Sequence, residues 1–189
     1  MQEKLLSELK RKTIHVSGSL IAILYLFTTW EIAILVLSIC FLAALFLEWQ
    51  RLERGWQFSF ARPHEQLGIS GALYFAFSSL LAVLFFQKEV AISTLLMLAV
   101  GDSITGIAGA ISEKGILKIK GRKPLYLFLM MLIICFLLAH LFLPFKVALI
   151  GAIIAALVDS LPLNFYNEVL DDNLTIPLLS GTAMSIAML

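Results

Sequence analysis

AISTLLMLAVGDSITGIAGAI, residues Ala91–Ile111, is an apolar run whose one charged side chain is Asp102. About 20 residues of helix, rising 1.5 Å each, cross the ~30 Å hydrocarbon core of a bilayer. The stretch therefore predicts a transmembrane helix, and the carboxylate inside it predicts more than a membrane anchor. Comparable apolar runs lie on either side, at Ile14–Thr29, Glu31–Leu47, Ile69–Phe86, Leu125–Phe142, Phe145–Leu161 and a shorter Ile176–Leu189. None alternates with the period of a strand, and no repeat is evident. In lipid a helix satisfies its own backbone polar groups, so the expected fold is an all-α polytopic bundle of about seven spans.

Composition agrees with that reading. Of 189 residues 60% are hydrophobic and 14% charged, with a mean hydropathy of +0.96, against about 45–50% apolar residues in soluble domains. Seven spans use most of the length, which leaves one integral membrane domain, residues 1–189, with 1–12 expected as a short cytoplasmic helix at the membrane surface. The polar start MQEKLLSELKRK leads into a run without a small-residue cleavage site, so no removable signal peptide is expected. Cys40 and Cys135 stand inside apolar runs without metal-ligand spacing and read as buried thiols.

Positive residues are retained on the cytoplasmic side of short loops. Twelve of the fourteen Lys and Arg fall in the N-terminal segment, the second connection and the fourth, leaving only Lys88 and Lys146 opposite. That count puts the N-terminus and the charged loops on the cytoplasmic face. The connection Pro162–Thr175 falls on the same face yet carries Glu168, Asp171 and Asp172 and no Lys or Arg. Charge retention does not account for it.

An Asp at the centre of a membrane helix costs about 2.5–3.5 kcal/mol to insert, so Asp102 must be paired, hydrated or bound to a cation. At helical spacing Asp102, Thr105, Gly106 and Gly109 form one small, polar stripe that admits a close neighbour: a helix, a second copy of the chain, or a substrate phosphate. RKTIH at the first span places Arg11 and His15 on one helix face, able to grip a phosphate with Lys12, although anchoring at the interface explains the two cations equally. Glu48 and Arg51 close the second span, and Arg62 and Glu65 precede the third; they read either as helix-end ion pairs or as phosphate contacts with carboxylate support.

The loop EKGILKIKGRKP, with Lys120, Arg122 and Lys123, is cationic and suited to polyphosphate or to anionic lipid, but it lacks the Walker pattern. Asp159, Glu168, Asp171, Asp172 and Asn173 form an oxygen-rich segment of the kind that holds magnesium with substrate phosphates. Acids that hold a cation opposite bases that hold phosphate describe a metal–nucleotide site.

In this order RKTIH, EWQR, RPHE, GDSITGIAG, GRKP, VDSLP and DDNLTIPLLSG resemble the CTP-dependent lipid kinase family that includes dolichol kinase, the CTP-using diacylglycerol kinase and phytol kinase. The resemblance covers most of the chain. It implies transfer of the γ-phosphate of CTP, with Mg2+, to the hydroxyl of a membrane lipid alcohol of polyprenol or dolichol type at the cytoplasmic face, with no nucleic-acid partner. The chain departs from the family where Pro124–Leu127 replaces the usual Ser or Thr, Glu and Gly, and where Asp159 stands in place of a common Glu.

The roles expected on this reading are general base or metal ligand for Asp102, with His15 beside it, and metal or nucleotide binding for Asp159, Asp171, Asp172 and Asn173. Phosphate falls to Arg11, Lys12, Arg51, Arg62, Lys120, Arg122 and Lys123. Glu48, Glu65, Thr105, Gly106, Gly109 and Glu168 support them. A CDP-lipid synthase would also bring CTP to this face, but the long acidic C-terminal signature of that family is missing. A small ion-coupled transporter or lipid-binding scaffold would use Asp102 as an ion or proton site.

Overall fold

The computed structural model describes residues 2–55, 68–112, 123–161, 163–165 and 168–189, with side chains omitted at 2–5, 7, 164, 165, 168 and 169. These residues are overwhelmingly helical. Helices α1 (Gln2–Ser17) and α2 (Ser19–Phe27) follow one another across Gly18, and α3 (Trp30–Arg54) ends at Gly55, whose φ of +66° suits glycine. Then come α4 (Gly71–Phe85), α5 (Lys88–Leu96), a π-helical turn Met97–Gly101, α6 (Asp102–Ile111), α7 (Leu125–His140), α8 (Phe145–Ser160) and α9 (Asp172–Ala187). The one sheet among the described residues is an antiparallel ladder of β1 (Asn164–Phe165) with β2 (Glu168–Val169).

Taking α1–α2 and α5–α6 as continuous rods, the helices form seven segments near the apolar runs of the sequence. Two of these, Trp30–Arg54 and Lys88–Ile111, are long and apolar enough to cross a membrane. Large apolar side chains are exposed on almost every helix, among them Leu35, Leu42, Phe85, Leu125, Leu137 and Ile186. Buried positions meanwhile include Lys12, Glu48, Arg51, Asp102, Asp159 and Asn173. Ionic groups inside and Leu, Ile and Phe outside suit an apolar solvent.

Helices α8 and α9 form the centre, with α7 beside α8, α4 and α5 against α9, and α3 at the periphery on α4. Small residues set the spacing. Ala148, Ala152, Ala155 and Ala156 are buried on α8, and a Cβ at Gly151 would overlap Met184 of α9. Pro177 lies inside α9 and lacks the N–H that would bond the carbonyl of Asn173. Ser78 of α4 supplies that donor instead, its Oγ 2.6 Å from the Asn173 oxygen. The start of α9 is thereby fixed to α4.

Residues 2–17 form a helix that packs along α6, and Lys12 is 1% exposed. An ionic partner inside the bundle draws it there.

Candidate functional site

The π-helical turn Met97–Gly101 leads directly into Asp102, so the carboxylate stands where the helical ladder changes pitch. Such turns concentrate at functional positions. Ser103 donates to the Ala99 carbonyl at 2.6 Å and Thr105 to the Gly101 carbonyl at 3.1 Å, which ties the irregular turn to the regular helix beyond it. Thr105 is thus a backbone clamp within its own helix.

Asp102 is buried, and Lys12 donates to its Oδ2. His15 Nε2 lies 3.2 Å from the same oxygen. The small stripe explains how Lys12 arrives: a Cβ on Gly106 would overlap its side chain. Gly109 faces Leu127 of α7, so both glycines serve contacts within this chain.

Asp102, Asp159 and Asp172 offer carboxylate oxygens that all lie within 4.8 Å of one another. They come from α6, the last turn of α8 and the first turn of α9. Lys123 Nζ sits 2.5 Å from Asp159 Oδ1, and the Lys123 backbone N–H donates to the Ser160 carbonyl at 3.3 Å, which docks the end of the basic loop on α8. Burial works against the Lys123 ammonium, but Asp159, with Asp102 and Asp172 behind it, holds its pKa above the usual value. Two lysines therefore face three carboxylates. Asp159 Oδ2 is buried without a hydrogen-bond partner among the described residues, so the cluster keeps unspent acceptor capacity as well as an excess of negative charge.

Hard divalent cations take oxygen ligands of this kind, and Mg2+ binds through one or two carboxylates plus water and substrate phosphates. The donor set fits Mg2+. Asp171 serves otherwise: it is the N-cap of α9, its Oδ1 accepting from the Asn173 N–H at 2.9 Å. Asn173 lines the cavity between α1, α3, α4 and α9, with Nδ2 3.2 Å from the Gly71 carbonyl.

Arg51 ties two helix ends together. It forks onto Glu48 at 3.1 and 2.8 Å and donates to the Gly68 carbonyl at 2.5 Å, while Glu48 accepts the Ser70 N–H at 2.8 Å. This buried fork joins the end of α3 to the start of α4. Removing one partner of such a pair costs about 3–5 kcal/mol. Arg51→Met is accordingly expected to lower the thermal unfolding temperature markedly; an unchanged unfolding temperature with a raised KM for nucleotide would assign Arg51 to phosphate binding.

Arg11 Nη2 bonds Glu8 at 2.5 Å. Arg62, Glu65, Lys120 and Arg122 lie outside the described residues, and Glu168 is described only as backbone. Sequence reasoning missed the Lys12–Asp102 pairing and the Ser78 donor. A lysine at the head of one apolar helix and an aspartate inside another signalled the first, and Pro177 signalled that a carbonyl needed a new donor. No family model, curated protein or solved structure matches the chain.

Proposed function

We propose that this protein is an integral membrane phosphotransferase acting on a lipid hydroxyl, with all seven helical segments as spans and the carboxylate cluster at the cytoplasmic face. More particularly, we read it as a CTP-dependent lipid kinase of dolichol or polyprenol type that uses Mg2+. The observation that carries the reading is the convergence of Asp102, Asp159 and Asp172 from three helices, with Lys12 and Lys123 paired to two of them. The choice of CTP rests on the resemblance of the sequence motifs.

On this reading Asp102, Asp159 and Asp172 would hold Mg2+, which neutralises charge on the transferring phosphate. Lys123, with Lys120 and Arg122 of the same loop, draws the nucleotide to the cluster. The acceptor oxygen attacks the γ-phosphorus, the bond from phosphorus to the β–γ bridging oxygen breaks, and its electron pair leaves with CDP. The hydroxyl proton passes to His15, whose Nε2 lies 3.2 Å from Asp102 Oδ2. Lys12 acts by positioning Asp102.

Purified chain given CTP labelled in its γ-phosphate, with Mg2+ and a panel of dolichol, polyprenols, diacylglycerol and diether lipids, is expected to yield labelled lipid, with ATP far weaker. Pyrophosphate and CDP-lipid in place of CDP would identify a cytidylyltransferase. No labelled lipid from any acceptor would defeat the kinase reading.

A further inference from the structure

A cavity of about 400 Å³ opens between α1, α3, α4 and the start of α9, within the size range of small-molecule sites. Ile14, Ile21, Ala44, Leu47, Leu73 and Phe75 give it apolar walls, and Arg11, His15, Glu48 and Asn173 its polar groups. Two of these polar groups are spent. Arg11 bonds Glu8, and Glu48 is held by Arg51 and the Ser70 N–H, whereas His15 Nε2, 3.2 Å from Asp102 and with its ring edge-on to Phe75 at 4.8 Å, makes no hydrogen bond among the described residues.

Asn173 is likewise unspent. It is 4% exposed, and its Nδ2 is engaged by the Gly71 carbonyl, which identifies the other amide atom as oxygen. That Oδ1 is buried and has no hydrogen-bond partner among the described residues. A buried acceptor left unmade costs about 1–3 kcal/mol, so the site calls for a ligand that brings one donor. An amide oxygen repels phosphate oxygens, and Arg11 is already neutralised by Glu8. The ligand this chemistry selects is a neutral hydroxyl on an apolar chain.

We infer that this cavity is the acceptor site, and that a long-chain alcohol enters it sideways from the bilayer along α3. Its tail lies on the apolar walls and its hydroxyl donates to Asn173 Oδ1. Among the described residues α3 packs chiefly on α4, and its exposed Leu42, Leu45 and Phe46 continue the apolar surface outward. The inference rests on the lipid-kinase reading for its catalytic meaning, since His15 joins the cavity to Asp102. It also gives Asn173 the acceptor instead of the nucleotide.

The test is equilibrium binding of tritiated geranylgeraniol and of its methyl ether to the full chain in nanodiscs without nucleotide, with Mn2+ binding followed in parallel. Wild type is expected to prefer the free alcohol, and Asn173→Leu to lose that preference. Ala44→Trp and Ala72→Trp, which fill the cavity from α3 and from α4, are expected to weaken alcohol binding at least tenfold with Mn2+ binding within twofold of wild type. Equal binding of alcohol and ether, undiminished binding in both tryptophan variants, or no binding to wild type would each overturn the acceptor site. The kinase reading is judged separately, by γ-phosphate transfer.

Discussion

Asp102→Asn is expected to abolish γ-phosphate transfer and to lower the stability of the chain by about 3–5 kcal/mol, the cost of leaving one member of a buried ion pair without its partner. Lys12 is 1% exposed and donates to Asp102, so the neutral amide strands a buried ammonium. Stability and chemistry separate in a second variant. Replacing both members, Lys12→Met with Asp102→Leu, removes the stranded charge and is expected to recover most of the unfolding temperature, because apolar substitution of a whole buried pair is often neutral or better. Phosphate transfer stays absent, since the carboxylate is gone. Thermal unfolding in detergent and the labelled-CTP assay measure the two effects. Full transfer by folded Asp102→Asn would remove Asp102 from the reaction.

The second large effect is on cation binding. Asp159→Asn or Asp172→Asn is expected to weaken Mn2+ binding by more than the roughly 10–100-fold lost when a metal site loses an outer-shell partner, and the two together to abolish it. Asp159 supplies a buried oxygen without a partner among the described residues, and both carboxylates lie within 4.8 Å of Asp102. Paramagnetic titration of the purified chain reads this without substrate. Asp171→Asn serves as comparison: as the N-cap of α9 it is expected to cost about 1 kcal/mol of stability or less, since Asn caps about as well as Asp. Mn2+ binding unchanged in the Asp159/Asp172 double variant would show that the three acids do not form a metal site.

The apolar runs brought the helices within reach of the sequence, and the helix over Ala91–Ile111 was legible from its length and its lack of charge other than Asp102. The requirement that Asp102 have a partner was equally legible, because an isolated carboxylate is costly in apolar surroundings. Which partner was not. Lys12 had two plausible uses at the membrane interface, and neither included the aspartate 90 residues away. Gly106 and Gly109 announced a close approach without saying that Lys12 and Leu127 make it. Arg51 and Glu48 stood as an ion pair or as phosphate contacts, with nothing to say that Gly68 and Ser70 close the fork.

Among the acids, the segment around α9 placed Asp171, Asp172 and Asn173 together, and their neighbourhood in sequence suggested one shared role. The start of the helix divides them: Asp171 turns back to cap, Asp172 joins Asp102 and Asp159, and Asn173 lines the cavity.

By itself the sequence determined that the chain is helical, that its helices suit an apolar solvent, and that its ionisable groups within apolar runs require company. Periodicity reports which residues share a face of one helix, and insertion cost reports that a buried charge must be answered. Only the tertiary structure decided which faces meet. The lysine of α1 answers Asp102, three helices bring three carboxylates together, and a buried asparagine oxygen beside a cavity is left without a partner among the described residues, because those contacts depend on how rigid helices pack and not on the residues beside each one in the chain.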